Sequence, residues 1–421
     1  MSNLNAVTIS RGRLGANRIN NDRAVSGLIL QWNTVSIPAD NAPLQIGAEP
    51  VVIRSLGDAA QYGITPSLDL NNNLFVHRQI SEFFRMAGEG TELWLLMVPS
   101  QESDFIPASI EKLRRASDGR IRQIGIQLKY ESIIGNDTLD GIRLDTWDAL
   151  EFAVIAAESA SVENQPVQIL IGSGNSPGNF LNPGLLDIRT GVITQSLGTS
   201  KVSLVIGQDY DYYLTRPANL REQADIGTFL GVLSSAAINQ NIGDNEAFNL
   251  TNSPRKAWLT PGLSDHSKLP SIQQLQSLED KGYIFGMTYT GLGGVRINND
   301  HVMAPVILDA DGNINEHSIA LSRTVDDAIR QLRSVYLPKV KKTYQLNSEG
   351  KLPEGVRVSL ESIGDQVFND MERAGEISFG KTTVDPDSDL LVAKVLKIRY
   401  RIVPTGTIGE ISGTINLKNE I

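Results

Sequence analysis

Leu74-Phe75-Val76-His77-Arg78-Gln79-Ile80-Ser81-Glu82-Phe83-Phe84-Arg85-Met86-Ala87, followed after a short break by Glu92-Leu93-Trp94-Leu95-Leu96-Met97-Val98, sets the fold class. In the first segment Val76, Ile80, Phe83, Phe84 and Ala87 recur at steps of four, three, one and three, the stripe of an amphipathic helix over 74–87. The second segment is a candidate strand. Further candidate strands stand at 27–32, 51–54, 120–127, 167–171 and 201–206, with helices at about 146–160 and 220–238. Helix and strand alternating in this way imply an α/β layer with a largely parallel sheet.

Towards the N-terminus, residues 1–24 form a polar arm with one extended stretch, Asn5-Ala6-Val7-Thr8-Ile9-Ser10, in which Val7 and Ile9 share a strand face. A segment this polar cannot bury enough surface to fold alone, so it is disordered or pairs with something else. Towards the C-terminus, residues 239–270 are rich in Asn, Ser, Pro and Gly and read as an irregular connection. A helix at about 272–281 and strands at 283–288, 302–308 and 314–320 follow, the last two joined by the turn Asp309-Ala310-Asp311-Gly312-Asn313. Then comes a unit of two helices and strands. Val325, Ala328, Ile329, Leu332, Val335 and Tyr336 line the first helix, which stops near Pro338. Leu360, Ile363, Val367, Phe368 and Met371 line the second, which ends near Gly375. A long strand over 390–403 and, past Pro404, an alternating segment over 407–417 complete the unit. The expected parts are therefore an arm (1–24), an α/β region (25–245), a connecting region with a hairpin (246–320), a two-helix-plus-sheet domain (321–405) and a terminal strand (406–421).

The 421 residues suffice for two or three cored domains, and 41% hydrophobic with 20% charged residues is an ordinary globular composition. No run of eighteen apolar residues occurs, so no spanning helix and no direct membrane insertion are expected. Residues 1–14 lack the apolar core of a signal peptide, so the protein is expected to stay where it is made. With no cysteine, disulfides, thiol nucleophiles, thiolate zinc sites and iron–sulfur clusters are excluded. A net charge of −10 counts against a nucleic-acid partner, which needs a concentrated basic surface.

Few motifs offer chemistry. Ile169-Leu170-Ile171-Gly172-Ser173-Gly174-Asn175-Ser176-Pro177-Gly178 is a glycine loop after a strand, able in principle to bring amides to a phosphate. It lacks the third glycine at a helix start, and no Gly-Lys-Ser/Thr follows, so it reads as a surface loop. Asp309-Ala310-Asp311-Gly312-Asn313 begins like a calcium loop, but its glycine is fourth instead of sixth and the twelfth residue is Ala320. Asp300-His301 and Glu316-His317 read as a chance surface pair and not a metal site. Asp209-Tyr210-Asp211 follows a strand end, where α/β enzymes place acids, yet no nucleophile or cofactor motif accompanies it. Gly291-Leu292-Gly293-Gly294 is a flexible turn. No catalytic residue, cofactor or metal ligand is expected. Arg323, Arg330, Arg333, Lys339, Lys341 and Lys342, against Asp326 and Asp327, reverse the chain's acidic balance locally. They form either a solvated helix face or a docking surface for an acidic partner.

Both ends are strand-like. A lone strand in water is unstable, and an extended segment can instead add to the edge of another subunit's sheet. The candidate inter-subunit residues are Asn5, Val7 and Ile9 in the arm and Ile408, Ile411, Ile415 and Leu417 at the other end. The alternative is that both strands complete their own domain.

Three stretches carry a resemblance. They are Gly27-Leu28-Ile29-Leu30 after a polar arm, with Ile80-Ser81-Glu82-Phe83-Phe84-Arg85 and Gly119-Arg120-Ile121-Arg122-Gln123-Ile124-Gly125-Ile126; Leu321-Ser322-Arg323-Thr324-Val325-Asp326-Asp327-Ala328-Ile329; and the ending of long strand, proline and last strand over 398–417. In this order they resemble the sheath proteins of contractile tails in phages and phage-like injection systems, of the single-chain type common in Bacteroidetes phages and prophages. The resemblance implies a multi-domain α/β (α+β) sheath subunit with an α/β outer region, an inner C-terminal domain and extended arms at both termini. It implies a helical homo-oligomer around an inner tail tube, with baseplate and tail terminator proteins as further partners. Such a particle is assembled in the bacterial cytoplasm and contracts to drive the tube through an envelope. The basic residues from Arg323 to Lys342 become candidates for tube contact, although the acidic second helix (Glu361, Asp365, Asp370, Glu372) could equally face a basic tube. Competing expectations are another tail or baseplate protein and, from a different class, a nucleotide-dependent α/β enzyme.

Overall fold

The computed structural model describes residues 22–32, 49–99, 104–128, 138–139, 141–174, 180, 184–190 and 197–417. The chain begins with β1 (Ser26–Trp32), β2 (Val51–Ile53), α1 (Leu56–Gln61), α2 (Pro66–Asn72), α3 (Val76–Ala87), β3 (Leu93–Pro99), α4 (Phe105–Ala116) and β4 (Gln123–Gln127). The two-residue strands β5 (Thr138–Leu139) and β6 (Ile142–Arg143), α5 (Leu144–Val162), β7 (Gln168–Gly172) and β8 (Val202–Val205) follow. Six strands form one sheet in the order β2-β3-β1-β4-β7-β8, parallel throughout except for β2, which runs antiparallel to β3. This is the α/β layer expected from the alternation.

Strands covered on both faces must be apolar on both. Ile29, Leu96, Ile124, Ile169 and Leu204 lie in one core layer with residues of α4 and α5. Leu28, Leu30, Leu95, Leu170 and Val205 lie in the other, with residues of α3 and of α7 (Ile226–Ser235). Helices α3 and α7 touch backbone to backbone. A Cβ at Gly227 or Gly231 of α7 would collide with the carbonyl oxygens of Gln79 or Phe83, so only glycine permits this approach.

The stretch read as an irregular connection is part of the core. Within it β10 (Pro261–Leu263) pairs with β9 (Gly207–Asp209), which leads into α6 (Tyr210–Leu214). Beyond it come α8 (Ile272–Asp280), where a helix was expected, and the hairpin of β11 (Gly286–Tyr289) and β12 (Leu292–Ile297). Trp258, fully buried, donates its indole N–H to Thr228 Oγ1 at 3.2 Å and meets Phe229 edge-on. Composition pointed to a loop here because most of the backbone is irregular; single large side chains do the packing. The strands expected at 302–308 and 314–320 are not formed. Only the isolated bridges Leu308↔Ile314 and His301↔Ser318 remain, and helix begins at Ile319. The turn between them is built as anticipated, with the Asp309 carboxylate accepting from the amides of Asp311 and Asn313 at 2.9 and 2.7 Å.

The C-terminal unit comprises α9 (Ile319–Tyr336), α10 (Glu354–Arg373) and the antiparallel pair β13 (Ile377–Val384) and β14 (Ile398–Pro404). Its core is small: Ala328 and Leu332 of α9 meet Val367, Phe368 and Met371 of α10 and Ile377 of β13. Strand β13 was not anticipated, and the strand expected over 390–403 forms only in its second half. There the Asp389 carboxylate accepts the amides of Leu391, Val392 and Ala393 at 2.9–3.0 Å, curling the chain out of a ladder.

Candidate assembly surfaces

Helix α9 is seated on the α/β sheet by a polar seam. Ser318 caps its start, accepting from the Leu321 amide at 3.3 Å. Lys201, next to β8, donates to Asp326 at 2.7 Å, to Ser322 at 2.8 Å and to Glu316 at 2.6 Å. Burial alone would lower the Lys201 pKa, but the pull of Asp326 and Glu316 overrides it and the ammonium is held above its ordinary value. Burial pushes Asp326 up, with Lys201 opposing. Arg23, just ahead of β1, reaches Asp327 at 2.6 Å and also pairs with Glu376, joining the chain's first described residues to its last domain.

Asp300 lies buried under the first turn of α9, accepting from the Ala320 amide at 2.9 Å and from Asn241 at 2.8 Å. Burial raises its pKa from 3.8 to about 6. A carboxyl raised on folding contributes stability that is fully present below the unfolded value and lost as pH rises through the folded one. The stability of wild type relative to Asp300→Asn is therefore expected to fall by about 2 kcal/mol between pH 4 and pH 7. Urea unfolding of both proteins across that range measures it; a pH-independent difference would contradict the assignment.

The basic residues proposed from sequence divide into two groups. Arg323 is corrected outright: it is buried and donates to the carbonyls of Ala236 and Ala237 at 3.3 and 3.2 Å. Arg330 also turns inward, to the carbonyls of Pro166 and Gly119. Burial holds each guanidinium down to about 10. Arg333, Lys341 and Lys342 are exposed and Lys339 is half-buried. The acids of α10 are likewise mostly committed. Glu372, Asp365 and Glu361 accept from the amides of Gly380, Thr382 and Val384 at 2.8, 2.8 and 2.9 Å. These are alternate amides of β13, on the edge away from β14, so α10 closes that edge to any further strand.

The other edge is different. By the same alternation, Ile398, Tyr400 and Ile402 turn their backbone groups outward from β14, and no strand pairs with them among the described residues. Thr405 accepts from Asn239 Nδ2 at 3.1 Å, which fixes where the tail leaves the body. Beyond it, residues 406–417 form no helix or strand, and Ile408, Ile411, Ile415 and Leu417 are 78–99% exposed. Asn5, Val7 and Ile9 lie outside the described residues.

The polar motifs serve the structure. Ser173 donates its amide to the Val205 carbonyl at 2.9 Å, and Gly174 bridges to Gln223. Asp209 is buried against Arg78 at 3.0 Å; burial raises its pKa to about 6, with Arg78 opposing. His301 and His317 have separate partners, Glu279 at 2.9 Å and the Asn315 carbonyl at 3.0 Å, while Glu316 goes to Lys201. The edge-capping role of the α10 acids was missed: they stood as candidates for contact with a basic tube. Glu361, Asp365 and Glu372 share one helix face, at steps of four and seven, ahead of a polar segment of strand length; that spacing was the available signal.

Over its whole length the fold matches solved components of contractile particles. With the helical sheath of the anti-feeding prophage in its contracted state the TM-score is 0.57 at 12% identity, covering 99% of each chain. With a chain of the anti-feeding prophage baseplate it is 0.55 at 12% identity, covering 99% of this chain and 100% of that one. With the contracted PVC sheath complex of an extracellular contractile injection system it is 0.53 at 9% identity, covering 100% and 99%. The fold is thus that of contractile-sheath subunits. No curated protein sequence matches the chain. The chain belongs to the DUF2586 family, whose N-terminal domain profile matches residues 38–301 and whose C-terminal domain profile matches residues 317–421.

Proposed function

We propose that this chain is the structural subunit of a contractile tail sheath. It polymerises helically around an inner tube and contracts to drive the tube through a target envelope. Its partners are further copies of itself, the tube, the baseplate and the tail terminator. The observation that carries this reading is the pairing of an exposed apolar tail, residues 406–417, with an open edge on β14 and a closed edge on β13. A chain that offers one strand and keeps one vacant edge can link to its neighbour, and that neighbour to the next, without either fold opening. The likeness to sheath chains over the full length supports the same conclusion. A catalytic role has no support: Asp209 at the sheet's end is held by Arg78, and the first part of the glycine loop is tied into backbone pairing. Work would come from the difference in interface free energy between an extended and a contracted lattice. Arg333, Lys341 and Lys342 are the residues left for contact with an acidic tube.

Negative-stain electron microscopy of the concentrated full-length protein tests this. Hollow, striated tubes are expected. Discrete particles under all conditions would point to a baseplate component, the reading to which the baseplate likeness lends itself.

A further inference from the structure

Beneath α9, Arg23, Arg122, Arg323 and Arg330 line one small cavity together with Asp326, Asp327, Pro166 and Ile238. Asp327 is paired within the lining, with Arg23 at 2.6 Å, and Asp326 holds Lys201 at 2.7 Å. These acids, with Asp300 near Arg323 and Asp22 near Arg122, offset the positive charge without outweighing the effect of burial. The other three arginines have backbone carbonyls as hydrogen-bond partners. Arg122 reaches Gly119, Arg323 reaches Ala236 and Ala237, and Arg330 reaches Gly119 and Pro166. A carbonyl satisfies a donor without cancelling its charge. In addition, Nε of Arg122 and Nε of Arg330 are buried with no hydrogen-bond partner among the described residues. Burial pulls all three guanidinium groups below their ordinary pKa, and Arg122 adds to the effect at Arg330. Clustered cations with unfilled donors are unfavourable until an anion joins them.

We propose that this cavity is a binding site for a carboxylate head group. A planar guanidinium matches a carboxylate in geometry as well as charge. The cavity, roughly 20 Å³, exceeds the 10–15 Å³ that one water requires, yet it is far too small for a nucleotide. Residues 1–21 contain neither Asp nor Glu, and Asp22, which opposes the lowering at Arg122, leaves that group below its ordinary value. The occupant is a free small carboxylate or an acidic side chain of a second copy, and the two share this chemistry. The proposal does not depend on the sheath reading.

The test is the thermal unfolding midpoint of unassembled full-length protein in sodium formate and in sodium chloride at equal ionic strength, for wild type and Arg122→Gln. In wild type, formate is expected to raise the midpoint by about 3 °C in a saturable manner, and the variant is expected to lose that rise. Superimposable wild-type curves in the two salts would overturn the proposal. Should Arg122→Gln fail to fold, Arg122→Lys keeps the charge and removes the unpartnered Nε–H; a formate shift undiminished there would also overturn it. Repeating the titration on assembled protein separates the sources. A persistent formate shift identifies a free anion, and its disappearance on assembly identifies a neighbour's carboxylate.

Discussion

Lys201→Met is expected to lower the unfolding free energy at pH 7 by about 3–5 kcal/mol, among the largest losses any single substitution in this chain should produce. The ammonium is 5% exposed and sits between Asp326 and Glu316 at 2.7 and 2.6 Å. Methionine fills similar volume, so little cavity forms; what is lost is the charge that stabilises Asp326, which burial already pushes towards the neutral form. An uncompensated buried carboxylate must take up a proton or stay ionised at high cost. The loss should therefore shrink as pH falls and Asp326 protonates in the variant. Lys351→Met provides the contrast: it breaks an ion pair at 2.5 Å to Asp387 on the open surface, and the unfolding midpoint should hardly move. Urea unfolding at pH 7 and pH 4.5 separates the cases. A Lys201→Met loss no larger than that of Lys351→Met would show that the seam does not hold α9 in place.

The contrast between these lysines also shows what the sequence could convey. Apolar runs such as Leu93 to Val98 announced the central sheet, because strands covered on both faces have no other composition open to them. The stripe from Val76 to Ala87 announced α3 for the same reason. Helix α4 was not among the expected helices, although Phe105, Ile106, Ile110 and Leu113 stand at helical spacing. Charged residues were harder to read. Arg323 and Arg333 are both arginines on one helix, ten residues apart, yet one is buried beneath α7's end and the other faces solvent. Net charge along α9 cannot distinguish them, since the difference lies in which carbonyls another part of the chain presents. The same holds for β13. Its polar alternation hides a strand whose outer amides are satisfied by carboxylates of α10, a tertiary fact with only a faint local trace.

Removing residues 407–421 is expected to abolish assembly while leaving the fold intact. The cut falls beyond Thr405, so the contact with Asn239 survives. The four large apolar side chains removed from the described tail are 78–99% exposed and stabilise nothing in their own subunit. On a neighbour's β14 edge they would instead be covered, each contributing about 1.5–3 kcal/mol if fully buried. Ladder hydrogen bonds add about 0.5–1.5 kcal/mol each. Summed over several residues, those gains separate a durable polymer link from none, so the effect should be close to all-or-none.

The decisive measurement is a side-by-side comparison of full-length and 1–406 protein at equal concentration, by negative-stain electron microscopy and thermal unfolding. The account predicts hollow tubes from the full-length chain alone and unfolding midpoints for the unassembled proteins that agree within a degree or two. Tubes from the shortened protein, as abundant as those from the full-length chain, would contradict the donated-strand link.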